Sequence, residues 1–171
     1  MALVGRARAG KDTAAAAILR LVPGSKVVRL SAAVKAATRA LFGLSEEEVE
    51  RGKDVPNPAV EAFMGPGATP RHAIVWLTDT CRSRFGPDFF SRSIFAAGDG
   101  GAIVLPDVRY GPDVDETRRR GGLVVKIERP ALSERLSWED PIDAIEGDVT
   151  IVNDGGPGFS AAVLAAVAEY M

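Results

Sequence analysis

The chain has 171 residues, 46% of them hydrophobic and 26% charged, with a formal net charge of −2. This suits one soluble globular domain with a substantial core, and the near-neutral charge gives no basis for bulk affinity to nucleic acid or a membrane surface. No apolar run approaches the roughly 20 residues that span a bilayer, and a single Cys81 with a single His72 excludes an internal disulfide and argues against zinc. Arg6, Arg8 and Lys11 interrupt the N-terminal segment, so it does not read as a signal peptide, and a cytoplasmic location is expected.

The first informative stretch follows the apolar Ala2-Leu3-Val4. In Gly5-Arg6-Ala7-Arg8-Ala9-Gly10-Lys11-Asp12-Thr13 two glycines bracket four residues ahead of a lysine, the spacing of a phosphate-binding loop. A loop that wraps phosphates must turn its N–H groups inward, and glycine permits the backbone angles and close approach this needs. The Ala-rich helix that follows adds the positive end of its dipole, and Lys11 supplies a point charge for the outer phosphates. Asp12 stands where a hydroxyl residue is usual, so Thr13 is expected near Mg²⁺, with Asp12 as a helix-start carboxylate or a water-mediated metal contact. The plainer alternative is a glycine turn capping a helix.

Further on, Lys26 to Leu30 reads as a short buried strand, and Ser31 as the cap of a helix with apolar positions Val34, Ala37, Leu41 and Phe42. Ser45 and Glu48 form a capping box for an acidic helix whose charge Arg51 and Lys53 offset. Residues 54 to 70, rich in proline and glycine, read as irregular. Thr69-Pro70 then opens a helix with an Ile74, Leu77, Cys81 stripe, and another spans Pro87 to Ala97. Ala102–Leu105, Leu123–Ile127 and Asp148–Val152 are near-continuous apolar runs, the pattern of parallel strands covered on both faces. A polar helix from Pro112 separates the first two, and a C-terminal helix presents Phe159, Val163, Val167 and Tyr170 on one face.

Strands alternating with helices predict an α/β fold with five parallel strands and right-handed crossovers. Ligands of such sheets gather at the carboxyl ends of the strands. That rule brings together the glycine loop, Ser31, Asp107 with Arg109, Arg129, and Asn153 with Asp154. Asp107 suits a carboxylate that holds Mg²⁺ or its waters, or else a simple turn residue. Arg109 suits an acceptor phosphate or a surface ion pair, and Lys35 an acceptor phosphate or solvent. Arg71 opens a helix against the dipole, which suggests an anion to grip. Phe89 and Phe90 suit either a stacked base or the core. Arg135, between the last two strands, suits a lid.

Gly10-Lys-Asp-Thr13, Ser31-Ala-Ala-Val-Lys35, Leu41-Phe-Gly-Leu44, Thr69-Pro-Arg71, Phe85-Gly-Pro-Asp-Phe89, Asp107-Val-Arg109, Gly122-Leu-Val-Val-Lys-Ile-Glu-Arg-Pro130 and Ile151-Val-Asn-Asp-Gly155 occur in an order that resembles the deoxynucleoside monophosphate kinases of tailed bacteriophages. These are themselves similar to the wider nucleoside monophosphate kinases and to animal phosphomevalonate kinase. The resemblance implies a single P-loop kinase domain over residues 1–171, a three-layer fold with a helical monophosphate-binding insert at about 32–98 and a short lid at about 129–147. It implies transfer of the ATP γ-phosphate to a deoxynucleoside monophosphate with Mg²⁺, in the cytoplasm of a host if the chain is phage-encoded. No nucleic-acid polymer or membrane partner is implied, and a homodimer is compatible. On this resemblance Gly5 to Thr13, Arg129, Asn153 and Asp154 hold ATP, and Thr13 and Asp107 serve the metal. Lys11, Asp107, Arg109 and Arg135 serve the transfer, while Ser31, Lys35, Arg71 and Phe90 hold the acceptor. The alternatives are a kinase of another small phosphorylated metabolite and a non-catalytic nucleotide-binding module. Val75, Thr78-Asp79-Thr80 and Phe90 depart from the family pattern at positions that bear on the base accepted.

Overall fold

The computed structural model describes residues 1–98, 100–132 and 140–170. The elements run β1 (Ala2–Val4), α1 (Lys11–Leu21), β2 (Lys26–Val27), α2 (Leu30–Phe42), α3 (Glu46–Glu50), α4 (Pro58–Met64), α5 (Pro70–Phe85), α6 (Phe89–Ala97), β3 (Ile103–Val104), α7 (Gly111–Arg119), β4 (Val124–Glu128), α8 (Asp140–Asp143), β5 (Val149–Val152) and α9 (Phe159–Ala168). They divide into two compact units, residues 1–29 with 90–171, and residues 30–89. The second unit is shorter than the expected insert at its C-terminal side. Most of α6 belongs to the first unit, where the Arg120 guanidinium lies 5.1 Å from the centre of the Phe95 ring.

The first unit is α/β with parallel strands. β4 is central, pairing with β1 through Leu3↔Val125 and with β5 through Ile127↔Ile151; β2 pairs separately with β3 through Val27↔Val104. The expected single sheet thus forms as three strands plus two, meeting at one parallel bridge, Ala2↔Leu105. Leu3 N–H donates to the Leu105 carbonyl at 2.8 Å there, and Leu105 N–H to the Met1 carbonyl at 2.9 Å. Val28 still donates to the Val104 carbonyl, but Arg29 and Leu30 leave the strand, which is why β2 is shorter than its apolar run.

The apolar alternation sends Leu3, Val125, Ile127 and Ile151 into a core shared with Ala14, Ala17 and Ile18 of α1 and Phe159, Val163 and Val167 of α9. Each fully buried large side chain of this set contributes roughly 1.5–3 kcal/mol. The alanines of α1 let that helix lie close to α9. Tyr170, expected on the same face, is 55% exposed because α9 ends at Ala168.

The second unit is helical. Its α2 starts at Leu30, so Ser31 lies inside the first turn rather than capping it. The buried positions are Leu30, Val34 and Thr38, one stripe at four-residue spacing, while Leu41 is exposed. Ser45 and Glu48 make the capping box of α3 in both directions, and Thr69 caps α5 with Pro70 at its first position. The stretch expected to be irregular contains α4. Asn57 accepts from Ala59 N–H at 3.0 Å, Pro58 occupies the first turn, and Gly65 closes the helix with φ 95°. Its Val60 enters a small core with Leu44, Val49, Ala68 and Ala73.

Candidate functional site

In the first unit, β1 ends at Val4 and the chain turns through residues 5–10 before α1 begins at Lys11. Two glycines are required. A Cβ on Gly5 would collide with the Ile127 carbonyl, because the loop starts hard against β4. Gly10 has φ 107°, and a Cβ there would collide with Asn153 Nδ2 and sit 3.1 Å from the Phe159 ring. Arg8, at φ 62°, is the one non-glycine residue with positive φ among those described, so the loop carries local backbone strain. Gly10 has no side chain to cap α1. The start of that helix is therefore left to backbone geometry.

Lys11 folds back over the loop, its Nζ donating to the Gly5 carbonyl at 2.8 Å and the Arg6 carbonyl at 2.7 Å. Asp12 is paired with Arg29 (2.6 Å), which draws its carboxylate to the exposed side, and Thr13 is exposed on the first turn. Arg6 makes a two-point ion pair with Asp143, Nε to Oδ1 at 2.9 Å and Nη2 to Oδ2 at 2.6 Å.

Of the residues expected at the adenine, Arg129 and Asn153 come to the same loop. Asn153 is buried and donates through Nδ2 to the Ala9 carbonyl at 2.7 Å, while its own N–H reaches the Glu128 carbonyl at 2.7 Å. Its Oδ1 accepts from Gly155 N–H at 2.9 Å, and Asp154 accepts from Gly156 N–H. Arg129 Nη1 donates to the Arg8 carbonyl at 3.1 Å. A cavity of about 350 Å³ opens beside them, lined among others by Gly5, Arg6, Lys126, Arg129, Leu132 and Asp143. Lys126 and Asp143 join this site without being among the sequence candidates. Lys126 had a visible signal, a cation inside an apolar strand; its Nζ reaches the Asp143 carbonyl at 3.1 Å. Asp143 had none, since its partner Arg6 is 137 residues away.

Asp107 and Arg109 follow β3 on either side of the buried Val108, both half-exposed, on the strand whose continuation bridges to β1. A magnesium ion carried by ATP takes one or two protein oxygens and completes its shell with phosphate and water. The donor chemistry of Thr13 and Asp107 fits that demand. No group of three His, Cys, Asp or Glu able to hold a metal occurs among the described residues. Phe90 is 7% exposed, in keeping with the packing role. Arg135 lies outside the described residues.

The second unit holds a charged group of its own. Lys35 on α2 pairs with Glu50 of α3 at 2.7 Å. Arg71, in the first turn of α5, makes a two-point pair with Asp54, and its backbone N–H donates to the Lys53 carbonyl at 2.8 Å. Hydrogen bonding from Arg71 holds the Asp54 carboxyl below its ordinary range, and Asp54 pushes the Arg71 guanidinium up. Partial burial, then the nearby Arg71 and Lys35 charges, push the Lys53 ammonium down. The sequence places Lys35 and Arg71 at an acceptor and gives Lys53 only the role of offsetting an acidic helix. Ser31 is half-buried in the first turn of α2.

Scanned against protein-family models, the chain matches none, and a search of curated proteins returns no match. No helix among the described residues is long and apolar enough to cross a membrane.

Proposed function

We propose that this protein is a P-loop phosphotransferase that moves the γ-phosphate of ATP onto the phosphate of a deoxynucleoside monophosphate. The reading rests on one observation above the rest: Lys11 opens α1 directly after a strained loop whose two glycines admit no side chain, with its ammonium already seated on the loop carbonyls. Counting the Ala2↔Leu105 bridge, the strands follow one another as β2, β3, β1, β4, β5, which supports a single five-stranded parallel sheet with the loop on the central strand. The contacts of Arg129 and Asn153 with loop carbonyls support an adenine edge next to the phosphates.

In the proposed reaction an acceptor phosphate oxygen attacks the γ-phosphorus, the bond to the β–γ bridging oxygen breaks, and ADP leaves with that electron pair. Lys11 and Arg109 stabilise the charge on the migrating group, and Lys35 and Arg71 hold the acceptor. Mg²⁺ bound with ATP, near Thr13 and Asp107, would supply further neutralisation of the phosphate oxygens. Such an enzyme would act in the cytoplasm. ADP release measured with ATP, Mg²⁺ and each of the four deoxynucleoside monophosphates tests the reading. Stimulation by at least one is expected, and stimulation by none of them refutes it. The burial of Phe90 favours a second acceptor class, a small phosphorylated metabolite without a base to stack. Activity confined to non-nucleotide phosphates would establish that reading instead.

A further inference from the structure

We infer that Lys53 is a third phosphate-binding cation of the second unit, beside Lys35 and Arg71, and that Glu50 and Asp54 make this site selective for doubly charged phosphate monoesters. The inference rests on the acceptor reading of this unit and extends it to the charge of the ligand. Three cations converge where α2, α3 and α5 pack together: Lys35 from α2, Lys53 after α3, and Arg71 from α5, the last two joined through the backbone at 2.8 Å. Like charges gathered in one place are unfavourable unless an anion is shared among them. The two carboxylates present leave one positive charge in excess. Glu50 sits on Lys35 and Asp54 on Arg71, whereas among the described residues Lys53 Nζ has no salt-bridge partner. Partial burial, and after it the Arg71 and Lys35 charges, push the Lys53 ammonium down, while Asp54 and Glu50 oppose them.

Both ion pairs are partly exposed, with side-chain exposures of 21% and 47% for Lys35 and Glu50 and 40% and 61% for Arg71 and Asp54, so neither is held tightly. A singly charged anion offers the cations no more than the carboxylate it would displace. A phosphate monoester dianion offers twice the charge and three acceptor oxygens, enough to engage Lys53 and draw the other two cations away from Glu50 and Asp54. The carboxylates thus act as resident competitors that only a doubly charged group displaces.

Equilibrium titration of the whole protein near pH 8 tests this with three probes: deoxythymidine monophosphate, its singly charged phosphate methyl ester, and ADP as a reporter of the glycine loop. The wild type is expected to bind the monophosphate about tenfold or more tighter than the methyl ester. Lys53→Met should weaken monophosphate binding by about tenfold and leave ADP binding alone, Lys53→Arg should restore most of it, and Glu50→Gln should tighten the methyl ester. Undiminished monophosphate binding in Lys53→Met, or unchanged discrimination in Glu50→Gln, overturns the inference. Monophosphate binding that depends on Lys53 in a protein that never releases ADP from ATP would uphold it while refuting phosphoryl transfer. Transfer that proceeds normally in Lys53→Met would do the reverse.

Discussion

Asn153 donates its side-chain amide to the Ala9 carbonyl at 2.7 Å, tying the end of β5 to the glycine loop 144 residues earlier in the chain. The bond is buried, and Ala9 itself is 1% exposed, so no water replaces a lost donor. Asn153→Ala should therefore leave a buried carbonyl unsatisfied, at a cost of about 1–3 kcal/mol. It also removes the acceptor of Gly155 N–H, loosening the turn that follows β5. Chemical denaturation should show the loss of stability, and titration with ADP should show weaker binding. An unchanged denaturation midpoint would contradict the assigned contact.

Gly10 faces the same amide from the other side. Its φ of 107° is unfavourable for any residue with a Cβ, and that atom would meet Asn153 Nδ2 and the Phe159 ring. Gly10→Ala combines backbone strain with displacement of a buried amide, and a loss of at least about 1 kcal/mol is expected. Pairing it with Asn153→Ala gives a sharper test. The smaller side chain at 153 removes one of the two collisions, so the double variant should lose less than the sum of the single losses.

The features legible in the sequence are those set by neighbours along the chain. Gly5, Gly10 and Lys11 carry their meaning in their spacing, and Ser45 with Glu48, or Thr69 with Pro70, announce helix starts through bonds three residues long. Helix α4 obeyed the same local rule, with Asn57 as cap and Pro58 in the first turn. The surrounding prolines and glycines mask these start and stop signals, because together they have the composition of an irregular stretch. Strand pairing is a different matter. Two-residue β2 and β3 are held by register with each other, and their single bridge to β1 depends on where Leu105 falls beside Ala2. The roles of Asp143 and Lys53 are equally tertiary. Asp143 acquires its meaning from Arg6, and Lys53 from cations on two other helices.

The Asp54–Arg71 pair predicts how the second unit responds to acid. Hydrogen bonding from Arg71 lowers the Asp54 pKa in the folded state below its ordinary value of 3.8, and the Ser45 contacts do the same for Glu48 below 4.5. A carboxyl with a lowered folded pKa binds fewer protons folded than unfolded. Its stabilisation is therefore complete above the unfolded pKa and is lost as pH falls through the folded one. Both carboxylates are largely exposed, so the effect should be small and should shrink with added salt. Melting midpoints followed from about pH 6 to about pH 2 should fall on the acid side, and Asp54→Asn should flatten that limb. A limb of wild-type steepness in the variant would show that Arg71 does not hold Asp54 in solution.

Lys11 separates the contribution of the loop to stability from the role proposed for it in phosphoryl transfer. Its two bonds go to the carbonyls of Gly5 and Arg6, and the lysine is half-exposed, so water can serve both acceptors once the side chain is removed. Lys11→Ala should then change folding stability by no more than about 1 kcal/mol. Its effect on phosphoryl transfer should be far larger, a fall of roughly 10²-fold or more, because a point charge matched to the developing charge of the migrating group stabilises the transition state more than the ground state. Lys11→Arg should recover little of that rate. A planar guanidinium keeps the charge but replaces the compact point charge that meets both carbonyls with a rigid fork. Stopped-assay turnover beside a melting curve distinguishes the cases. A variant that melts with the wild type and turns over at the wild-type rate removes Lys11 from the reaction, and one that melts far below it shows the ammonium to be a structural pin of the loop.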